Sequence, residues 1–182
     1  MEYNKTVILK NSKSCVIRNC EKDDASQVIS VFNLTHEQTD FLLTYPDENS
    51  FIEEQEAELL LKKKESEREV ELCAVVDGKI VATAGVEEIS PKYKVRHRAE
   101  FGISVEKSSW GNGIGYALTL ACVECAKKAG YSQLELSVVA DNAAAVALYK
   151  KIGFKEFGRN PKGFKSRVSS WQEIVLMCLE LD

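Results

Sequence analysis

Apolar residues recur at two different spacings along this chain, and the spacings predict strands and helices in alternation. Apolar residues two positions apart are typical of strands, and those three or four apart are typical of helices facing a core. The pattern predicts these elements in order: a strand at Cys15–Asn19, a helix at about Lys22–Phe32, a loop at Leu34–Asn49, a helix from Ser50 onward, strands at Val70–Val76, Lys79–Val86 and Arg98–Val105, a helix at Asn112–Ala129, a strand at Gln133–Val139, a helix from Asn142 to Lys151, and strands at Phe154–Phe157 and Trp171–Leu181 joined by a loop.

Short polar motifs mark where these elements begin and end. Asp77-Gly78 between two β-rich runs is a strong hairpin signal, and Gly130 is placed to end the long helix. Ser50 with Glu53 three residues later predicts a capping box at the start of the second helix. The order of elements predicts one domain over residues 1–182 of mixed α/β class. Its sheet should be mostly antiparallel, with about six to seven strands, and flanked by about four helices.

Composition narrows the class of protein. The 182 residues carry 24 Lys+Arg against 28 Asp+Glu, a net charge of −4, with 45% hydrophobic residues. The hydrophobic content argues against a disordered chain. The negative net charge argues against nucleic-acid binding through a basic surface. No apolar run approaches the roughly 20 residues of a membrane-spanning helix, so no membrane partner is expected. The first ten residues lack the features of a signal peptide, and we expect a cytoplasmic protein.

The six cysteines include one close pair, Cys122 and Cys125. A zinc site would need further ligands, but the two histidines, His36 and His97, lie far away in sequence. Both cysteines fall on the apolar face of a predicted helix. They are therefore interpreted as small core residues, and no metal site is predicted.

A glycine-rich turn connects a predicted strand to a predicted helix at Gly111, Gly113 and Gly115. Glycines permit close backbone approach, and a helix start offers free N–H groups, so such a turn can bind phosphate. Gly115 is followed by Tyr116-Ala117, which excludes a Walker loop, and Tyr116 stands where a dinucleotide fingerprint needs glycine. A purely structural turn remains open on this observation alone.

The wider pattern resembles the GNAT superfamily of acetyl-CoA-dependent N-acetyltransferases. The resemblance rests on Ala99–Val105, on Gly111-Asn-Gly-Ile-Gly115 and on Asn142–Phe154, and the order of elements extends it over nearly the whole chain. It implies an acyl-CoA N-acyltransferase-like fold, in which a splayed strand pair holds the cofactor. It also implies transfer of acetyl from acetyl-CoA to a primary amine of a small molecule or protein, by direct attack in a ternary complex. One departure is Trp110, which stands where the family usually has a Gln or Arg with a side-chain contact to the pyrophosphate.

The resemblance also implies roles for individual residues. Tyr149 would place its hydroxyl near the thioester sulfur and act as the acid, while Glu100 is the candidate base, with His97 as an alternative. Asn142 would hydrogen-bond the pantetheine arm. The remaining cofactor contacts are implied for the strand residues Ile103, Ser104 and Val105 along the pantetheine, and for the backbone amides of Gly111, Asn112, Gly113, Ile114, Gly115 and Tyr116 on the pyrophosphate. A base is needed because a lysine-like amine, with a pKa near ~10.4, is mostly protonated at neutral pH.

Several alternatives stay open from the sequence. Either a structural role or a catalytic role fits Glu100 and Tyr149, and a non-catalytic acyl-CoA-binding domain or a nucleotide-binding protein is the rival function. Two charged segments flank the expected acceptor site, an acidic one near Asp47 to Glu56 and a basic one at Gly158–Ser170. A homodimer is a possible assembly. Because the net charge is −4, the positive potential for an anionic cofactor is expected from backbone amides and a helix end.

Overall fold

A computed structural model describes residues 1–181, and in this range a single sheet carries helices on both faces. The strands are β1 Asn4–Ile8, β2 Ser14–Asn19, β3 Val70–Val76, β4 Lys79–Glu88, β5 Arg98–Val105, β6 Gln133–Val139, β7 Lys155–Ser166 and β8 Ser170–Glu180. The α-helices are α1 Ala25–Gln38, α2 Glu53–Glu65, α3 Ile114–Lys128 and α4 Ala143–Ile152. Short 3-10 turns occupy Lys22–Asp24, Pro46–Glu48 and Lys107–Ser109.

The strand order across the sheet is β1-β2-β3-β4-β5-β6-β8-β7. Every neighbouring pair is antiparallel except β5 and β6, which run parallel. The predicted mixed α/β class with a mostly antiparallel sheet is therefore confirmed. The described chain has eight strands, slightly more than the six to seven expected.

The parallel pair β5 and β6 separates along its length. The strands pair only from Arg98 opposite Gln133 to Glu100 opposite Glu135, whereas β5 continues to Val105 and β6 to Val139. The splayed strand pair expected from the resemblance is thus present. A gap opens in the middle of the sheet immediately after Glu100.

The direction of the β5 backbone groups follows from its bonds to β4. The carbonyl of Arg98 accepts from Ile89 N at 3.4 Å, and Glu106 N donates to the Val81 carbonyl at 2.9 Å. In an antiparallel ladder the backbone groups of alternate residues point to opposite edges. The even-numbered residues therefore face β4, and Ile103 and Val105 direct their N–H and C=O groups into the gap.

The two faces of the sheet bury different cores. The larger core lies under α3 and α4 and includes Phe101 of β5 and Leu118 of α3. The smaller core lies under α1 and α2 and includes Val28 and Leu60. Cys122 and Cys125 are fully buried in the larger core, as the helical spacing predicted.

Two boundaries, the end of α1 and the start of α2, differ from the prediction. The helix α1 continues to Gln38 through the predicted loop, since Thr35 and His36 turn polar side chains inward and bond to the Phe32 carbonyl at 3.0 and 2.7 Å. The Ser50 capping box does not form. Instead, α2 begins at Glu53 behind Ile52, which makes no side-chain cap.

Both edge strands were missed or shortened by the sequence prediction. β1 exposes four of its five residues, so it has no alternation to detect. The predicted loop at Gly158–Ser170 lies mostly within β7 and β8. The pairing of β7 with β8 shifts register between Glu156 and Gly158 and again between Asn160 and Phe164. Glycine and proline are tolerated at such irregular edge positions, where they mimic a loop signal.

Candidate functional site

The glycine turn presents a row of free backbone donors. Gly111 and Gly113 have φ values of 76° and 95°, a region that favours glycine, and Gly113 is the N-cap of α3. Across residues 1–181, no acceptor bonds to the N–H groups of residues 111–116. Three of these donors belong to the first turn of α3, where the helix macrodipole is positive. Six consecutive free N–H groups can bind an anion with several oxygen atoms.

A cavity of about 490 Å³ extends from this turn into the gap between β5 and β6. Its volume lies in the range of small-molecule sites. The lining residues are Lys10, Thr39, Phe41, Leu42, Ile103, Ser104, Val105, Ser109, Trp110, Gly111, Gly113, Ile114, Gly115, Tyr116, Asn142, Ala144, Ala145, Leu148, Tyr149 and Lys151. This set contains every predicted cofactor-binding residue except Asn112. It contains no acidic residue.

Asn112 is turned away from the cavity. Its Nδ2 donates to the carbonyls of Ser109 and Trp110 at 3.3 and 3.4 Å, and its own carbonyl accepts from Lys10 N at 3.1 Å. The side chain of Asn112 therefore shapes the turn, while its backbone N–H remains free.

Trp110 bonds to the edge of β5. Its indole Nε1 donates to the Val105 carbonyl at 2.7 Å. Three other gap-facing groups at the end of β5 are not used by Trp110: the N–H and C=O of Ile103 and the N–H of Val105. An extended chain with amide groups can pair with that edge as an added strand does. Trp110 thus fixes the end of the edge but supplies no polar group to an anion.

Tyr149 projects from α4 into the larger core and reaches the cavity. Its ring lies 6.1 Å from Phe101 and 5.8 Å from Phe154 between centroids, and the residue is 6% exposed. Burial raises the pKa of the Tyr149 hydroxyl. That hydroxyl has no hydrogen-bond partner elsewhere in the described chain, so it is free to bond to a molecule in the cavity.

The two polar atoms of the Asn142 side chain have different roles. Its Oδ1 accepts from Ala145 N at 3.2 Å and so caps α4. Its Nδ2 donors stay available to the cavity. An amide carbonyl in the gap would be a suitable acceptor for them.

Glu100 lies at the mouth of the gap but outside the cavity lining. It is exposed and is the last β5 residue paired with β6. Because side chains alternate along a strand, Glu100 lies on the face opposite Phe101 and hence opposite Tyr149. Glu87 on β4 and Glu135 on β6 are its cross-strand neighbours. The alternative base, His97, precedes β5 and lies six residues from Ile103, roughly 20 Å along the strand.

The two charged segments expected near the acceptor site contact each other. Arg167 Nη1 bonds to both Asp47 oxygens at 2.7 and 2.9 Å, and its guanidinium carbon lies 4.2 Å from the centroid of the Tyr45 ring. Asp40 accepts from the Ser166 and Ser169 hydroxyls at 2.6 and 3.0 Å. Arg167 and Asp47 therefore neutralise each other, and the chain between α1 and α2 is held against the β7–β8 hairpin.

Besides Trp110, nine lining residues were not predicted as site residues from the sequence: Lys10, Thr39, Phe41, Leu42, Ser109, Ala144, Ala145, Leu148 and Lys151. Lys151 stands one helical turn after Leu148, and that spacing on α4 could have indicated a shared face. Nothing local marks Lys10, because only the tertiary fold brings the β1–β2 turn beside the glycine turn. The two lysines add side-chain charge where backbone amides and a helix end were expected to act alone.

The cysteines do not provide a nucleophile to this site. Burial raises the pKa of Cys122, and it raises that of Cys125 to about 11. Over residues 1–181, no group of three or more His, Cys, Asp or Glu side chains is arranged to hold a metal ion. The helices in that same stretch are all too short or too polar to cross a membrane.

The cavity as a whole suits an elongated ligand. The free N–H groups of residues 111–116 match an anionic segment, and the free edge of β5 matches an arm with amide groups. Apolar side chains also line the cavity, among them Phe41, Leu42, Ile103 and Leu148. These features together fit a phosphorylated cofactor with an amide-containing arm.

Comparisons with known proteins agree with this arrangement. A sequence profile of the acetyltransferase (GNAT) family matches residues 31–154. The L-amino acid N-acetyltransferase AaaT of Escherichia coli K12 is 35% identical over 94 residues, which cover 50% of this chain and 57% of that protein. The chain thus matches little more than half the length of that relative.

Solved structures match over most of the chain. The acetyltransferase of GNAT family from Streptococcus pneumoniae superposes with a TM-score of 0.87 at 28% identity, covering 92% of this chain and 99% of that one. The structure of yncA from Salmonella typhimurium with its cofactor acetyl-CoA gives a TM-score of 0.81 at 18% identity, covering 92% and 94%. The second likeness concerns the fold alone.

Proposed function

The chain belongs to the acetyltransferase (GNAT) family, and from this premise we propose that it transfers an acetyl group from acetyl-CoA to a primary amine. The observation that carries the proposal is the cavity, in which six consecutive free N–H groups and the free edge of β5 come together. A purely structural strand-to-helix turn has no need of three unpaired N–H groups before the helix begins. The acceptor is the amine of a small molecule or of a protein.

The cavity residues fit coenzyme A in three places. The amides of residues 111–116 suit its pyrophosphate, and the Ile103–Val105 edge suits the two amide groups of its pantetheine arm. The Nδ2 group of Asn142 lies on the other side of the gap as a further donor. Bound acetyl-CoA supplies an activated thioester, whose carbonyl carbon is open to an amine nucleophile.

Tyr149 is the acid in this proposal. Burial raises the pKa of its hydroxyl, so Oη keeps its proton at neutral pH and can donate it to a sulfur that develops negative charge. The rings of Phe101 and Phe154 hold Tyr149 in place. A fixed donor without an internal partner costs no rearrangement when that charge appears.

Glu100 is the base in this proposal and acts from the opposite face of the sheet. Its carboxylate accepts a proton from the ammonium form of the acceptor, through a water molecule because Glu100 does not line the cavity. Acid and base lie on opposite faces of the gap in this proposal. The proton of the amine therefore leaves on one face, and the proton for the sulfur arrives from the other. In this proposal the backbone N–H of Ile103, which faces the gap, stabilises negative charge on the thioester carbonyl oxygen, and the Ile103 C=O and the Val105 N–H bond to the pantetheine amides.

A binding assay combined with an acceptor panel tests the proposal. Calorimetry with acetyl-CoA and coenzyme A should show binding, with ATP and NAD as controls that should not bind. Thiol release is then followed with L-amino acids, polyamines and lysine-containing peptides, and products are identified by mass spectrometry. Absence of acetyl-CoA binding at millimolar ligand would contradict the proposal. Binding with no acetylated product from any amine would favour a non-catalytic acyl-CoA-binding domain.

A further inference from the structure

Two lysines from distant parts of the sequence bring unpaired positive charge to the cavity. Lys10 lies in the turn between β1 and β2, and Lys151 lies in the last turn of α4. Lys5, Lys13, Lys63 and Lys64 form ion pairs, but within residues 1–181 no carboxylate pairs with Lys10 or Lys151. In a chain of net charge −4, a cavity lined by two lysines and no acid differs in sign from the whole molecule.

The backbone holds these lysines on two sides of the glycine turn. Lys10 N donates to the Asn112 carbonyl at 3.1 Å, which ties the β1–β2 turn to the glycine turn. Lys151 Nζ lies 5.0 Å from the centroid of the Tyr116 ring, and Tyr116 belongs to the first turn of α3. The Lys10 backbone and the Lys151 ammonium group are therefore close to the glycine turn, and both residues line the cavity that begins there.

Their position is electrostatically unfavourable without an anion. The start of α3 carries the positive end of its macrodipole, and six free N–H groups add to that potential. The side chains of Lys10 and Lys151 add further positive charge to the same cavity, and within residues 1–181 neither lysine pairs with a carboxylate. A ligand with two or more negative charges would satisfy all of these groups together.

We propose that Lys10 and Lys151 form a two-sided cationic clamp for phosphate groups at the nucleotide end of coenzyme A. The clamp supplies the side-chain contact that Trp110 does not make at the position where the family usually has Gln or Arg. This assignment rests on the proposed function. Lys10 is its distinctive part, because the residue lies outside both motifs that carry the family resemblance.

Calorimetry with three ligands tests the clamp without any turnover. Coenzyme A, 3′-dephospho-coenzyme A and pantetheine are titrated into the wild type and into Lys10→Gln, Lys151→Gln and the double variant. Each single variant should bind coenzyme A about fivefold more weakly, as expected for a partly exposed ion pair. Pantetheine affinity should not change. The salt dependence of coenzyme A binding should be shallower in the double variant.

The control and the ligand series separate the possible results. Lys92→Gln removes an exposed lysine in the turn between β4 and β5, at the far end of β5 from the cavity, and should bind all three ligands as the wild type does. If the variants lose affinity for coenzyme A only, the lysines contact the 3′-phosphate. If they lose affinity for both coenzyme A and 3′-dephospho-coenzyme A, the lysines contact the pyrophosphate. Unchanged affinity in the double variant, or an equal loss for pantetheine, overturns the clamp. Failure of the wild type to bind coenzyme A would instead overturn the proposed function.

Discussion

Tyr149 packs in the core and also carries the proposed acid function. A buried tyrosine with aromatic neighbours is ordinarily a core residue, and Tyr149 does contact Phe101 and Phe154. Its hydroxyl nevertheless borders the cavity without an internal partner. The packing function and the proposed acid function therefore use different ends of the same side chain.

Removing that hydroxyl should affect turnover and not cofactor binding. Tyr149→Phe keeps the ring contacts, so we expect unchanged coenzyme A affinity by calorimetry. Its kcat should fall about 100-fold, because a positioned general acid contributes on this order. Tyr131→Phe is the matched control, since Tyr131 is also buried and its hydroxyl has no partner in the described chain. Wild-type kcat in Tyr149→Phe would remove the acid assignment.

The base assignment of Glu100 predicts a change that depends on pH. In Glu100→Gln, kcat/KM at neutral pH should fall about 100-fold. The deficit should shrink as pH rises toward the pKa of the acceptor, because a growing share of the amine is then already neutral. The rate profile is measured against Glu180→Gln, which changes an exposed glutamate on β8. A deficit that is constant with pH, or no deficit, contradicts the role of Glu100 as base.

At the scale of one element, α3 has a left-handed glycine beside each end. Gly113 precedes its first turn at φ 95°, and Gly130 follows its last turn at φ 78°. An added Cβ would meet no atom within 4 Å at either position. Both positions thus require a left-handed backbone conformation, but only Gly113 borders the cavity.

Alanine at these two positions should separate helix stability from cofactor binding. Both Gly113→Ala and Gly130→Ala should lower the free energy of unfolding by roughly 1 to 2 kcal/mol, the cost of a Cβ in the left-handed region. Only Gly113→Ala should also weaken coenzyme A binding, about tenfold or more, because relaxation of φ turns the N–H groups away from the ligand. Denaturant unfolding and calorimetry measure the two effects. Equal coenzyme A affinity in both variants would contradict the role of the glycine turn.

At the scale of the whole molecule, Asp40 joins the first third of the chain to the last. It follows α1 closely and accepts from Ser166, Ser169 and Gln172 at 2.6, 3.0 and 3.2 Å. Thr39 and Phe41, on either side of it, line the cavity. The hydrogen bonds of Asp40 therefore fix one wall of the site against the β7–β8 hairpin.

These bonds give stability a definite dependence on pH. The Ser166 hydroxyl, followed by those of Ser169 and Tyr45, lowers the pKa of Asp40 below its ordinary value. A carboxylate with a lowered folded-state pKa stabilises the fold above its unfolded pKa, about 3.9, and loses that contribution as pH falls through the folded value. Asp40→Asn should therefore be less stable than the wild type at pH 7 by roughly 1 to 2 kcal/mol after solvent screening.

The difference in unfolding free energy between wild type and Asp40→Asn should narrow steadily below about pH 4. Denaturant titrations across that range measure it. Asp23→Asn, at an exposed aspartate beside α1, should match the wild type at pH 7. A difference between wild type and Asp40→Asn that stays the same at low pH would show that the charge of Asp40 is not what the hydroxyls stabilise.

The sequence alone determined the central elements and half of the residues that line the cavity. Local features were sufficient there, because the Asp77-Gly78 hairpin, the glycine turn and the Asn142 cap each depend on a few adjacent residues. Buried strands such as β6 also show their face directly by alternation. Edge strands bury little, so β1 and most of β7 gave no such signal.

Only the tertiary structure decided which distant residues meet at the site. It placed Lys10 beside the glycine turn, Phe41 in the cavity wall and Asp40 against the β7–β8 hairpin. It also put Glu100 and Tyr149 on opposite faces of the gap. Contacts between residues more than a hundred positions apart leave no periodic trace in the sequence, because they depend on how the sheet orders its strands and where β5 and β6 separate.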